Sequence, residues 1–115
     1  MRLSRISSLA MLASGLAGVA MPDKVGTALH LPPTDGRGRA ETRAGLGGTY
    51  AALGCLGVLS RSPVARRAVG VTWLGAAAAR LLALQLDEPE TDATYWAYLA
   101  AEIGLGLAGV TARND

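Results

Sequence analysis

Four long apolar runs dominate this sequence and restrict the folds that the chain can adopt. They occupy residues 6–21, 44–59, 68–86 and 95–112. Each run approaches the roughly 20 residues that an α-helix needs to cross the hydrocarbon core of a bilayer. The simplest prediction is an all-α fold, a four-helix transmembrane bundle that forms a single membrane domain over residues 1–115. Its spans are placed at about 4–22, 43–60, 68–86 and 95–112.

The composition favours membrane helices over a soluble core. Half of the 115 residues are hydrophobic, yet only 4% are aromatic and none is Phe. A soluble core of this size usually draws much of its buried area from aromatic side chains. Here Ala, Leu and 15 Gly residues dominate. Glycine weakens soluble helices, whereas in membranes it lets helix backbones approach closely.

Small residues also recur every four positions on three of the runs, which predicts close helix contacts within the chain or a homo-oligomer through these faces. These stripes are Ala10, Ser14 and Gly18; Ala44, Gly48 and Ala52; and Gly104, Ala108 and Ala112.

The orientation follows from the basic residues in the short connections. One side of the membrane would carry Arg2, Arg5, Arg61, Arg66, Arg67 and Arg113, and the other Lys24, Arg37, Arg39 and Arg43. This bias predicts a multi-pass protein of the inner (plasma) membrane with both termini in the cytoplasm. Residues 23–42 would form a long outer loop, with a short interfacial turn at residues 25–31.

The first run has a second interpretation. Its basic start, apolar middle and small residues at Gly18 and Ala20 also resemble a signal peptide. Cleavage after Ala20 is therefore the alternative to a retained first helix.

Two ionisable residues, Arg80 and Glu102, lie well inside the third and fourth runs. A charge at the centre of a bilayer costs about 2.5 to 3.5 kcal/mol on insertion scales, so neither is expected to face lipid. At 1.5 Å per residue, Arg80 lies roughly 10 Å and Glu102 roughly 12 Å below the same outer edge. Because the two helices run antiparallel, the sequence predicts that the side chains pair.

Other polar residues fall on faces that could join this pair. Arg43 and Tyr50 share one face of the second run at a spacing of seven residues, and Tyr98 precedes Glu102 by four. We therefore predict a ligand-binding cluster of Arg43, Tyr50, Arg80, Tyr98 and Glu102 in the outer half of the bundle, open to an anion or a lipid headgroup.

Several alternatives stand beside this site. Arg80 and Glu102 could serve only as a structural pair that sets helix register, and that role is the more common one. Arg43 could be a snorkelling helix-end residue, and Tyr95, Trp96 and Tyr98 could be interfacial anchors. A proton-coupled small transporter would instead use Glu102 as its titrating group. A redox or quinone-linked membrane enzyme ranks last.

The sequence offers little for other chemistries. His30 and Cys55 are the sole residues of their types, so the chain alone has no His pair for haem and no Cys-based metal motif. We predict no metal, no cofactor and no catalytic residues, hence a non-enzymatic protein. Although the net charge is +2, the basic residues sit in short clusters without interleaved aromatics, which argues against a nucleic-acid partner and leaves membrane lipids as the expected one.

The order of these motifs also resembles a known family. Glu41-x-Arg43 followed by Gly47-Gly48, an Arg in the third run at Arg80, and a Glu in the fourth at Glu102 are similar to the small bacterial four-span membrane proteins called domain of unknown function 4345. The resemblance extends from the first helix to Gly109. It implies a four-helix membrane bundle and no known activity.

Overall fold

The computed structural model describes residues 3–113, and every regular element in this range is helical. Arg2, which supports the orientation inferred above, lies outside the described residues. In chain order the elements are α1 (Leu3–Ala20), α2 (Pro22–Ala28), α3 (Gly36–Glu41), a π-helical segment (Thr42–Gly48), α4 (Thr49–Leu59), α5 (Pro63–Leu86) and α6 (Ala93–Val110). The all-α prediction is confirmed.

The starts of the two helices that carry Arg80 and Glu102 follow from local sequence. Ser62 is the N-cap of α5, where its hydroxyl accepts a hydrogen bond from the Val64 amide at 3.2 Å, and Pro63 occupies the first turn. Asp92 caps α6 in the same way, since its carboxylate accepts from the Tyr95 amide at 3.0 Å. These caps fix where each helix begins and hence the heights of both charged residues.

The predicted outer loop at residues 23–42 contains more helix than expected. α2 covers the first part of it, and α3 continues through the π-helical segment into α4, so the chain is helical from Gly36 to Leu59. The Thr49 hydroxyl donates to the Ala44 carbonyl, five residues back, at 3.2 Å. This contact spans the wider turn of a π-helix, in which bonds reach five residues instead of four.

The described chain divides into two compact units. Residues 3–7 and 60–113 form one, named here the α5–α6 unit, and residues 8–59 form the other, the α1–α4 unit. Each is described by itself.

In the α5–α6 unit, glycines bring the two long helices into backbone contact. A Cβ atom added to Gly109 would lie 2.5 Å from Gly70 Cα, and one added to Gly106 would lie 2.5 Å from the Leu74 side chain. Gly104 was predicted to lie on the contact face of α6 together with Ala108 and Ala112. This prediction is wrong for Gly104, because a Cβ added there meets nothing within 4 Å. The contact face follows a spacing of three residues, from Gly106 to Gly109.

In the α1–α4 unit the contacts again involve glycines, but on other faces than predicted. A Cβ on Gly18 would lie 2.8 Å from Gly47 Cα, and Gly54 packs against the Leu12 backbone. In the predicted stripe of Ala10, Ser14 and Gly18, the close contact of Gly18 with another helix segment is therefore confirmed. The predicted stripe of Ala44, Gly48 and Ala52 is wrong for packing within this unit, since all three residues are exposed. A homo-oligomer through these exposed positions stays a prediction.

Large apolar side chains lie mostly on the outside of the protein, while small and polar groups lie inside. Buried polar or charged residues include Ser4, Ser7, Ser8, Arg66 and Glu102, and Arg66 is the largest fully buried side chain. The exposed apolar residues include Leu16, Leu56, Leu59, Val71, Leu82, Leu86 and Leu107. The exposure of so many large aliphatic residues is unlike a soluble domain, in which such residues are mostly buried.

Of the described helices, α1 and α5 are long and apolar enough to cross a membrane, by length and composition alone. A signal sequence near a chain start and the core helix of a soluble protein share these properties, so two such helices are weak support for a membrane protein. The second predicted span is divided between the π-helical segment and α4. The four-span topology stays a prediction.

Candidate functional site

The pairing of Arg80 with Glu102 is confirmed in the α5–α6 unit. Arg80 Nε donates to Glu102 Oε1 at 2.8 Å, and Arg80 Nη2 donates to Glu102 Oε2 at 3.0 Å. Two parallel bonds between a guanidinium and a carboxylate give both energy and a fixed orientation. The Glu102 side chain is 10% exposed and that of Arg80 is 23% exposed, so the carboxylate is the more deeply enclosed partner.

Helix geometry explains why these residues meet. On α6, Glu102 shares the buried face of Leu99, Gly106 and Gly109 at spacings of three, four and three residues. On α5, Arg80 lies three residues after the buried Ala77, at the edge of the face that packs on α6. The antiparallel packing of α5 and α6 therefore places Arg80, at the edge of the contact face of α5, next to the buried carboxylate of Glu102.

Two tyrosine rings enclose the guanidinium. Arg80 Cζ lies 5.1 Å from the centroid of the Tyr95 ring and 5.6 Å from that of Tyr98, within the range of cation–π attraction. The Tyr95 hydroxyl also donates to the Arg80 carbonyl at 2.8 Å. Tyr98 is one of the predicted site residues and Tyr95 is not, although both were also considered as interfacial anchors. The spacing of Tyr95, Tyr98 and Glu102, at three and four residues, was the signal that places both rings on the Glu102 face.

Part of the Arg80 guanidinium remains available. Its Nε and Nη2 atoms contact Glu102, whereas within residues 3–113 no acceptor is bound to Nη1. A guanidinium carries five N–H donors in a planar fork. The edge of Arg80 that points away from Glu102 can therefore donate to an external oxygen.

Arg43 and Tyr50 belong to the α1–α4 unit. Arg43 is exposed, and its Nη1 donates to the Val19 carbonyl in the last turn of α1, where backbone acceptors lack partners within the helix. Arg43 thus caps the end of α1, a role that was not predicted, and the snorkelling role stays a prediction. Tyr50 is half-buried. The grouping of these two residues with Arg80 and Glu102 stays a prediction.

A second polar cluster surrounds Arg66, which is 1% exposed. Its Nε donates to the Ser4 hydroxyl at 3.2 Å, its Nη1 to the Ser60 carbonyl at 3.3 Å, and its Nη2 to the Arg113 carbonyl at 3.0 Å. Arg66 thus connects three segments that are distant in sequence. The sequence analysis assigned it to a polar loop. Its position 14 residues before Arg80, close to four helical turns, places both arginines on one helix face, but this spacing does not show that acceptors surround Arg66.

The other polar residue types form no metal centre in the described part of the chain. No group of three or more His, Cys, Asp or Glu side chains within residues 3–113 could hold a metal ion. Cys55 is a free, half-buried thiol, and His30 is exposed with a left-handed backbone (φ 60°).

Comparison with known proteins identifies the family. The family model described as Domain of unknown function (DUF4345) matches residues 3–112. No curated protein and no solved structure matches the chain.

Proposed function

Since the chain belongs to the family described as Domain of unknown function (DUF4345), we propose that it is a non-enzymatic, four-span protein of the inner membrane that binds an anion or a lipid headgroup beside Arg80. Both termini would lie in the cytoplasm. The observation that carries the binding proposal is the Arg80 guanidinium, which is oriented by Glu102 on one edge and has donors available on the other.

The distribution of side chains supports the membrane part of the proposal. Large aliphatic residues such as Leu59, Leu86 and Val71 are 76%, 70% and 61% exposed, as expected where lipid is the solvent. The helix contacts are made by glycines, such as Gly70 against Gly109, and close backbone packing of this kind drives helix association in lipid. Exposed apolar surface on this scale would make a soluble monomer prone to association.

The chemistry of the pair supports an oxyanion. A planar guanidinium edge matches the spacing of two phosphate or carboxylate oxygens. Glu102 already balances the charge of Arg80, so a bound anion would be held by the hydrogen bonds of the outer guanidinium edge. Tyr98, whose ring lies 5.6 Å from Arg80 Cζ, would add a contact to the headgroup.

The same geometry argues against a transporter or an enzyme. Both Glu102 oxygens accept hydrogen bonds from Arg80, so protonation of the carboxylate would have to break a bidentate pair. A group held in this way is poorly suited to carry a proton across the membrane or to act as a general base.

Reporter fusions test the topology. We expect fusions after Leu59 and after Asp115 to report cytoplasm and fusions near Gly36 and Glu90 to report periplasm, because arginine is concentrated in the short connections of one side. If the Gly36 and Asp115 fusions report the same side, four spans with an outer loop at residues 23–42 are excluded. A mixed result at every position would indicate dual topology and favour a transporter.

Ligand analysis tests the site. Protein purified in mild detergent should carry an anion or phospholipid that mass spectrometry identifies, and the Arg80→Leu/Glu102→Leu variant should lose it while staying folded. The matched control is Arg37→Leu/Glu41→Leu, because these residues form another Arg–Glu pair, at 3.0 Å, with side chains 83% and 69% exposed. The control should keep the ligand.

Two results would contradict the binding proposal. If Arg80→Leu/Glu102→Leu carries every ligand of the parent in an unchanged amount, no ligand binds beside Arg80. A parent protein that carries no ligand and behaves like the leucine variant in every assay would leave only the structural role of the pair.

A further inference from the structure

The arginines of the α5–α6 unit are concentrated at one of its ends. Arg66 donates to Ser4, to the Ser60 carbonyl and to the Arg113 carbonyl, so the start of α1, the connection before α5 and the end of α6 meet there. Five arginines make these contacts or lie within three residues of them in sequence: Arg5, Arg61, Arg66, Arg67 and Arg113. We call this region the arginine end.

Two of these arginines hold the region together from within. Besides the three bonds of Arg66, Arg67 Nε donates to the Ala112 carbonyl at 2.9 Å. These guanidinium groups satisfy carbonyls just beyond the last turn of α6, where the helix itself supplies no donors and where positive charge is favoured. The arginine end is therefore a built arrangement that presents the exposed side chains of Arg61, Arg67 and Arg113.

Within residues 3–113, the exposed Arg61, Arg67 and Arg113 side chains form no ion pair with a carboxylate. The acidic connection, with Asp87, Glu88, Glu90 and Asp92, lies beyond the opposite end of α5, roughly 36 Å away along a 24-residue helix. Glu102 lies about 12 Å before the end of α6 and is engaged by Arg80. Among the described residues of the α5–α6 unit, arginines are thus concentrated at one end and carboxylates at the other.

The segments that contact Arg66 also carry exposed apolar side chains. Leu3, Ile6 and Val64, at the starts of α1 and α5, are 67%, 42% and 65% exposed. A surface that combines guanidinium groups with projecting aliphatic side chains matches a phospholipid, since the phosphate and the acyl chains can both be contacted. A nucleic acid would use the arginines but offers no partner for the aliphatic residues.

We propose that the arginine end is a binding surface for anionic phospholipids, which recognise it through the phosphates and adjoining acyl chains. This surface is separate in sequence and in place from Arg80 and Glu102, and it does not depend on the ligand proposed there. Arg66 acts as the positioning residue, and Arg61, Arg67 and Arg113 supply the exposed charge.

Lipid titration of the full-length protein in detergent, followed by native mass spectrometry, tests this proposal. The probes are phosphatidylglycerol and the zwitterionic phosphatidylcholine at 0.15 M salt. The test variant is Arg61→Gln/Arg113→Gln, because neither side chain makes a hydrogen bond within residues 3–113 and the fold should be kept. The matched control, Arg37→Gln/Arg39→Gln, removes two charges from α3.

We expect the parent to prefer phosphatidylglycerol and the test variant to bind it about 25-fold more weakly, which corresponds to roughly fivefold per arginine. The control should stay within about twofold of the parent on the same scale. Equal affinity for the two lipids, or a test variant that binds like the parent, would overturn the proposal. Tighter binding of a single-stranded oligonucleotide than of phosphatidylglycerol would also overturn it and indicate a nucleic-acid surface.

The Arg80→Leu/Glu102→Leu variant separates the two proposed sites. It should keep its preference for phosphatidylglycerol if the lipid sits at the arginine end. If that variant loses the preference while Arg61→Gln/Arg113→Gln retains it, the lipid binds beside Arg80, and the arginine end is not a lipid site although the proposed function stands.

Discussion

Replacing one member of the Arg80–Glu102 pair with leucine is expected to destabilise the protein strongly, and replacing both should restore much of the loss. Removal of one partner of a buried ion pair leaves an uncompensated charge, which typically costs about 3 to 5 kcal/mol. The double variant leaves no such charge. Thermal unfolding in detergent of the parent, the two single variants and the double variant measures the coupling between the two side chains.

The two single changes should differ in size. Arg80→Leu leaves the Glu102 carboxylate, whose side chain is only 10% exposed, without its donors. Glu102→Leu leaves the Arg80 guanidinium, which is 23% exposed and lies against the Tyr95 ring. We therefore expect Arg80→Leu to lower the melting temperature more than Glu102→Leu.

The exposed Arg37–Glu41 pair is the control for this cycle. It has the same residue types and a similar Nε–Oε1 distance of 3.0 Å, but water screens it, so its coupling should be only about 0.3 to 0.5 kcal/mol. Additive effects of Arg80→Leu and Glu102→Leu would mean that the bidentate contact contributes nothing to stability.

The second large effect concerns Gly109. In Gly109→Ala the new methyl group would lie 2.5 Å from Gly70 Cα and 2.7 Å from the Gly70 nitrogen. Backbone atoms cannot move aside like a flexible side chain, so α5 and α6 must separate. Overpacking of this kind typically costs about 1 to 3 kcal/mol. We expect a clear fall in the melting temperature in detergent.

Gly104→Ala is the matched control on the same helix. Nothing lies within 4 Å of a Cβ added at Gly104, and alanine is the better helix former by about 1 kcal/mol in soluble hosts. This variant should be as stable as the parent or more so. If Gly104→Ala proves more damaging than Gly109→Ala, the contact face of α6 described here is wrong, and the predicted stripe of Gly104, Ala108 and Ala112 carries the packing.

The pairing of Arg80 and Glu102 could be predicted because it depends on few quantities. The helix rise per residue is constant, and α5 ends where the short acidic connection to α6 begins. In antiparallel helices joined in this way, residues at equal distances from the connection lie side by side. A buried charge also requires a partner, and these were the two charges well inside the runs. The Tyr95 contact was available from the same reasoning, since its spacing from Tyr98 and Glu102 places it on their face.

The burial of Arg66 could not be predicted in this way. Its acceptors include the Ser4 hydroxyl and the carbonyls of Ser60 and Arg113, and backbone carbonyls leave no mark in a sequence. An arginine at the start of a helix is usually solvated, so the residue type alone favours exposure. Only the convergence of three distant segments provides enough acceptors to bury it.

The sequence by itself determined the all-α fold and the Arg80–Glu102 pair, because these depend on local periodicity and helix rise, and the order of its short motifs indicated the family. The tertiary structure alone decided which glycines make contacts. On α6, Gly104, Gly106 and Gly109 all lack a side chain and would all allow another helix to approach closely. The residue type therefore does not show which of them makes the contact. Gly70 of α5 packs against the face of Gly106 and Gly109, and this choice depends on how the two helices fit together, since close packing is a property of two facing surfaces rather than of one sequence.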